Sequence, residues 1–244
     1  SLKTACVGEI MAGNQPTAER MNWWVKHSLN CLFVGEAGTG KTAMVKSCFD
    51  DNFGEQGKDW LYFSAATIDP WVDFVGVPMK VREEKTGEEY IKLFRQQVWN
   101  TGSIKGIFLD EFNRAHKRVR NAVMELIQFK SINGVPLPNL RVVWAAINPY
   151  DEKNVRYDVE ELDPAQKDRF QIKVNFPYKL NLEYFTKKYN AEMAIAANDW
   201  WTKLNESDKK NVSPRCVDYA LDIFNKGGYI HYVLPVESGV AALV

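Results

Sequence analysis

The segment Cys31 to Thr42, CLFVGEAGTGKT, leaves few folds open to this chain. Four largely apolar residues, Cys31 to Val34, run into Gly35, Glu36, Ala37, Gly38, Thr39, Gly40, Lys41 and Thr42, after which Ala43 to Lys46 reads as a helix. That order is strand, glycine turn, helix. The G-x-x-x-x-G-K-[ST] spacing suits a polyphosphate, because glycines let the backbone wrap with its N–H groups inward and a helix start adds partial positive charge. Residues 35–43 are therefore expected to cradle a nucleoside triphosphate. Lys41 supplies a compact charge for the β and γ phosphates, and the Thr42 hydroxyl is suited to ligate Mg²⁺.

A second stretch completes the chemistry. Ile107-Phe108-Leu109-Asp110-Glu111 is an apolar run ending in two acids. A buried strand of this kind can bring Asp110 opposite Thr42 to hold Mg²⁺ through its water shell, and Glu111 beside the γ phosphate as general base. Further on, Ala145-Ala146-Ile147-Asn148-Pro149 ends another apolar run in an amide. Asn148 could bond the attacking water or the γ phosphate, or simply open the Asn-Pro turn.

Composition narrows the class without choosing the partner. Lys plus Arg and Asp plus Glu both total 31, so there is no overall basic excess for nucleic acid, although a local basic groove stays open. The 244 residues are 45% hydrophobic, enough for one large domain or a main domain with a smaller companion. Cys6, Cys31, Cys48 and Cys216 lack C-x-x-C spacing and read as buried free thiols of a cytoplasmic protein. No apolar run reaches the length of a membrane span, and no signal peptide is evident. The chain starts at Ser1 rather than Met, as a processed or trimmed one does.

Five β-type runs are expected: Cys31–Val34, Trp60–Ser64, Ile104–Leu109, Arg141–Ile147 and Gln171–Phe176. Between them the pattern predicts helices over Glu89–Trp99 and Ala115–Lys130, after an N-terminal helix over Thr17–His27 capped by Thr17. Alternating strands and helices imply a mostly parallel sheet covered on both faces, with ligands at the carboxyl ends of the strands. Two hairpins should project from it, one in the alternating segment Met79–Leu93 that turns at Lys85-Thr86-Gly87, and one in Lys130–Val135 at Asn133-Gly134, a type I′ signal. Trp71 and Phe74, and likewise Trp23, Trp24 and His27, read either as packing residues or as contacts. Beyond about Tyr178 helical signals take over, Leu182–Leu204 and then Pro214–Asn225 with Gly227-Gly228 as a stop.

In combination, GEAGTGKT, FLDEFNRA, WAAINP, LDPAQKDRF and VSPR resemble the AAA+ ATPases, most closely the MoxR branch of the helix-2-insert clade, over residues 30–220. The resemblance implies an α/β P-loop NTPase fold: a five-stranded parallel sheet between helices as residues 1–177, and a small helical lid as residues 178–244 that reads as truncated. It makes Lys41 and Thr42 Walker A, Asp110 and Glu111 Walker B, and Asn148 sensor 1. Arg169 matches the arginine finger that reaches a neighbouring subunit, for which a bidentate, always-charged guanidinium is suited. A structural salt bridge is the other reading of Arg169, and Arg114 or Arg156 could serve instead. Arg215 matches sensor 2, or is a surface arginine at a helix start.

By the same resemblance the implied cofactors are ATP and Mg²⁺, and the implied state is a ring, usually a hexamer. A protein substrate and a von Willebrand factor A domain partner are implied too. No N-K-x-D guanine motif occurs, since Asn225-Lys226-Gly227-Gly228 fails at its last position. The expected function is an ATP-driven ring motor that remodels or matures proteins. A nucleic-acid-translocating or restriction-type NTPase and a nucleotide-gated scaffold are the alternatives.

Overall fold

The structure, a computed structural model, describes residues 15–100, 102–149 and 161–234. Its chain contacts fall into two compact units. One comprises Pro16–Val34 with Thr42–Val174, and the other joins Gly35–Lys41 to the segment that begins at Asn175.

The first unit carries the sheet. Its strands are β1 (Cys31–Val34), β2 (Trp60–Ser64), β5 (Gly106–Asp110), β8 (Val142–Ile147) and β9 (Ile172–Asn175), in the spatial order β2-β5-β8-β1-β9. The β2–β5, β5–β8 and β8–β1 pairings are all parallel. Parallel neighbours need crossover connections, which explains why strands and helices alternate along the sequence. Helix α1 spans Ala18–Lys26 and is capped by Thr17, whose hydroxyl accepts from Arg20 N at 3.2 Å. Helix α2 (Lys41–Phe53) follows β1 after the glycine turn, α3 (Lys117–Phe129) follows β5, and the one-turn α4 spans Pro164–Lys167.

Both faces of the sheet are buried, so its central strand is apolar throughout: all six residues of β8 are buried. One face packs Leu32, Ile107, Leu109, Val143 and Ala145 against Val119, Val123 and Leu126 of α3. Opposite, Phe49 of α2 meets the rings of Trp144 at 5.0 Å, Phe53 at 5.1 Å and Trp60 at 5.4 Å. Aromatic pairs of this kind add about 0.5–1.5 kcal/mol each beyond area burial. Gly106 is required there, because a Cβ on it would lie 2.5 Å from the Phe53 ring.

The helix expected over Glu89–Trp99 is absent. Glu89–Phe94 is strand β4, paired antiparallel with β3 (Val77–Arg82) from Val77↔Phe94 to Arg82↔Glu89, and a 3₁₀ turn covers Gln97–Asn100. Six paired residues with Tyr90, Ile91 and Phe94 favour the ladder over a short helix whose charges carry its pattern. The hairpin turn itself falls where the sequence put it, with Gly87 at φ 73°. Phe74 is fully buried in a π-helical turn, Pro70–Val75, whereas Trp71 is exposed beneath the Arg118 guanidinium at 4.4 Å. Trp24 is core, and Trp23 is exposed and stacks on His27 at 4.0 Å. Cys31 and Cys48 are buried free thiols; Cys216 is half-buried, and Cys6 lies outside the described residues.

The second hairpin pairs β6 (Ser131–Ile132) with β7 (Val135–Pro136), and Asn133 and Gly134 both take positive φ, 49° and 74°, as a type I′ turn requires. Its anchor is Glu125 of α3, which accepts from Ser131 Oγ at 2.8 Å, Gly134 N at 2.9 Å and Asn133 N at 3.1 Å.

The second unit has its own core around Phe185, Trp200, Trp201, Val217 and Leu221. The single helix expected over Leu182–Leu204 is two, α5 (Leu182–Lys188) and α6 (Ala191–Lys203). Asn190 makes the break by capping α6 with its side chain. A further short helix, α7 (Glu206–Asn211), precedes α8 (Pro214–Asn225), which matches its sequence bounds. Asp218 of α8 gathers Lys188 Nζ at 2.9 Å, Tyr189 OH at 2.8 Å and Tyr184 OH at 3.1 Å.

Burial alone would push the Glu125 carboxyl up, but the N–H of Gly134, the Ser131 hydroxyl, the N–H of Asn133 and the charge of Arg95 outweigh it and hold it below the usual carboxylate range. A group depressed in this way stabilises the fold above its unfolded pKa and loses that contribution as pH falls through the folded value. Wild type should therefore exceed Glu125→Gln in urea midpoint at pH 7, with the difference shrinking by pH 3. A pH-independent difference would contradict this.

Candidate functional site

In the unit that holds the glycine turn, Gly35–Lys41 closes on itself. Lys41 is buried, and its ammonium donates to Gly35 O at 2.5 Å and Glu36 O at 2.7 Å. Thr39, also buried, donates to Glu36 O at 2.9 Å. Gly38 and Gly40 stand at φ 80° and 90°, the left-handed region where a Cβ is strained. Gly35 is excluded from being larger by contact, since an added Cβ would lie 2.7 Å from Phe176 Cβ and 2.9 Å from Phe176 O. Glu36, Ala37 and Gly40 are exposed. At Gly38 an added Cβ would meet Ser213 Oγ at 3.1 Å and Arg215 Cβ at 3.4 Å, so Arg215, itself exposed, starts its helix beside the turn.

Within the sheet unit, Thr42 Oγ1 donates to Asp110 Oδ2 at 2.5 Å. Thr42 stands in the first turn of α2, after β1, and Asp110 ends β5, two strands away with β8 between. Their meeting fixes that helix start over the carboxyl edge of the sheet. Asp110 Oδ1 accepts the Glu111 N–H at 3.0 Å, and the Tyr62 hydroxyl lies 3.4 Å from Oδ2. Glu111 then turns left-handed, φ 53° and ψ 37°, and its carboxylate pairs with Arg114 at 3.2 Å. Ala43 points to solvent.

Asn148 follows β8 directly, at the same strand edge as Asp110, and Asn113 Nδ2 donates to its main-chain oxygen at 3.0 Å. Arg169 is exposed, and its guanidinium donates to the Gln128 amide of α3; Asp168 beside it pairs with Lys173. Thus the partner of Arg169 is a neutral amide, and the neighbouring acid takes a lysine. Arg156 lies outside the described residues.

Among the described residues no group of three or more His, Cys, Asp or Glu side chains could hold a metal by itself. Thr42 and Asp110 nevertheless fit Mg²⁺. They bring hard oxygens together at one point, and that ion is commonly held by one or two protein oxygens with water and phosphate oxygens completing its octahedron. Two residues at this site escape sequence reasoning, Tyr62 and Asn113. Tyr62 reads as strand filler; the usable signal is period-two alternation, which places it on the same face as Ser64 in the strand beside Asp110.

Parallel strands in this order, a glycine turn closed by its own lysine, and a helix-start threonine bonded to a strand-end aspartate define an α/β fold of the P-loop NTPase kind. In sequence the chain is 38% identical over 179 residues to Chaperone MoxR1 of Mycobacterium tuberculosis, a match covering 70% of this chain and 42% of that protein. The chain is thus similar in sequence to a MoxR chaperone. The match spans less than half the length of that relative. No model of a known protein family matches it. Two solved structures align at lower likeness. One is a proposed ATPase from Cytophaga hutchinsonii, with 18% identity, TM-score 0.43, and coverage of 91% of this chain and 78% of that one. The other is NtrX from Brucella abortus in complex with ADP, with 12% identity, TM-score 0.45, and coverage of 95% and 52%. Neither adds to the assignment.

Replacing Thr42 by Val keeps its shape and removes its donor, leaving Asp110 without its shortest bond. We expect Thr42→Val to lose about 1–2 kcal/mol of stability by urea denaturation, and Thr42→Ser to retain most of it. A loss in Thr42→Ser with none in Thr42→Val would mean that the methyl group, rather than the hydroxyl, matters.

Proposed function

We infer that this chain is an ATP-hydrolysing subunit of a MoxR-type ring motor, most simply a hexamer, which couples turnover to remodelling or maturation of protein partners. What supports this reading is the Thr42–Asp110 hydrogen bond at the end of β5, with Glu111 next in the chain as the acid proposed to remove the proton. Residues 35–43 bind the phosphates, with Lys41 exchanging two carbonyl acceptors for phosphate oxygens. Thr42 and Asp110 hold Mg²⁺, which when bound supplies charge neutralisation at the transferred phosphoryl group. Glu111 takes the proton of the attacking water, for which its carboxylate has to leave Arg114. Asn148 orients that water.

Arg169 is the residue proposed to act in trans and Arg215 in cis, each donating to phosphate oxygens. Residues 1–177 would form the nucleotide-binding core and 178–244 the lid. A von Willebrand factor A domain protein is the partner we expect. The compartment would be the cytoplasm, in keeping with free buried Cys31 and Cys48. No helix among the described residues is long and apolar enough to cross a membrane.

Glu111→Gln should bind ATP as the wild type does and lose hydrolysis by about 100-fold or more, within the roughly 10²–10⁴-fold range of a general base. Equal phosphate release by the two proteins in a coupled assay removes Glu111 as base. For the ring, turnover per subunit should rise with protein concentration in wild type and stay low throughout in Arg169→Ala. A flat rate that Arg169→Ala leaves unchanged would exclude action across a subunit boundary.

A further inference from the structure

Asp110 carries more donors than the Walker pairing requires. Its Oδ2 takes Thr42 Oγ1 at 2.5 Å and has the Tyr62 hydroxyl at 3.4 Å, and its Oδ1 takes the Glu111 N–H at 3.0 Å. Tyr62 reaches it because β2 and β5 run parallel in a register that sets Tyr62 opposite Phe108 and Ser64 opposite Asp110. The phenol lies along the sheet and ends at the strand tip.

Two groups hold the ring there. The Phe108 ring sits 5.8 Å away, tilted at 52°, and Lys46 Nζ stands 3.7 Å over the ring centroid. Lys46 is one helical turn beyond Thr42, so a single face of α2 supplies both the hydroxyl on Asp110 and the cation over the tyrosine.

We propose that Tyr62 is a positioning residue for the metal: by donating to Asp110 Oδ2 beside Thr42, and clamped by Lys46, it fixes the rotation of the carboxylate toward the water shell of Mg²⁺. The argument is one of freedom. The terminal torsion of an aspartate is broad and nearly two-fold, so a single donor on one oxygen leaves its plane poorly defined. Donors on both oxygens, two of them on Oδ2, define it. A tyrosine phenol is protonated at neutral pH and so acts here as a donor. Partners one bond removed from a metal are worth roughly 10–100-fold in metal affinity, and a 3.4 Å contact belongs at the low end.

This inference rests on the ATPase reading, and the experiment separates the two. Full-length wild type and Tyr62→Phe are titrated with Mn²⁺ by electron paramagnetic resonance in the presence of a non-hydrolysable ATP analogue. The affinity for a fluorescent ATP analogue is then measured in EDTA. Tyr62→Phe should bind Mn²⁺ roughly 10-fold more weakly, with nucleotide affinity in EDTA and melting temperature unchanged. Lys46→Met should shift Mn²⁺ affinity the same way by less.

Unchanged Mn²⁺ affinity in Tyr62→Phe overturns the proposal. So does an equal loss of nucleotide affinity in EDTA, which would make the residue a packing element only. If wild type itself shows no Mn²⁺ binding with nucleotide, the ATPase reading fails and takes this inference with it.

Discussion

A threonine hydroxyl and an aspartate oxygen 2.5 Å apart set the terms for the rest of the sheet unit. The two residues belong to elements that are not neighbours: α2 follows β1, Asp110 ends β5, and β8 lies between those strands. For them to meet, three parallel strands must end at one level, and α2 must begin directly over that edge. The apolar content of β8 and the ring cluster around Phe49 supply the burial that holds the strands in place. A polar contact of modest net worth thereby reports on the alignment of a much larger apolar assembly.

Much of this was legible in the sequence because it depends on local rules. Glycines at positive φ, an Asn-Gly pair at a type I′ turn, Thr17 as a cap and four apolar residues before a glycine turn each carry their own signal. The strands were placed to within two residues at each end, and the five-stranded sheet followed from their alternation with helices. Where the sequence misled, a neighbour in space decided. Glu89–Phe94 has charges at helical spacing, and its identity as a strand comes from six partners in Val77–Arg82. The division at Tyr189 and Asn190 was hidden because a periodic run of helix formers conceals a capping asparagine in its middle. At the site, the residue types with phosphate and metal chemistry could be found by spacing. For Tyr62 period-two alternation gives the face but not the neighbour, because its relation to Asp110 exists only once two strands are in register.

The arginines illustrate the same division. Arg114 is three residues beyond Glu111 and pairs with it, an arrangement set by one short 3₁₀ turn. Arg169 instead meets Gln128, forty-one residues earlier in sequence, and an amide holds a guanidinium less firmly than a carboxylate would. An arginine held in that way keeps most of its capacity to bond an anion. Arg215 stands at the start of a helix capped by Ser213 with Pro214 in its first turn, so its backbone is fixed while its side chain reaches solvent.

Glu111 adopts φ 53°, a conformation that asparagine, aspartate and glycine accept more readily than glutamate does. The left-handed step throws two consecutive carboxylates in different directions, one toward Thr42 and the other toward Arg114. Position 111 is thus under two opposed demands, a backbone favouring short side chains and a reach that only the longer acid provides. Asparagine would relax the chain and forfeit the charge, while a β-branched residue would satisfy neither requirement.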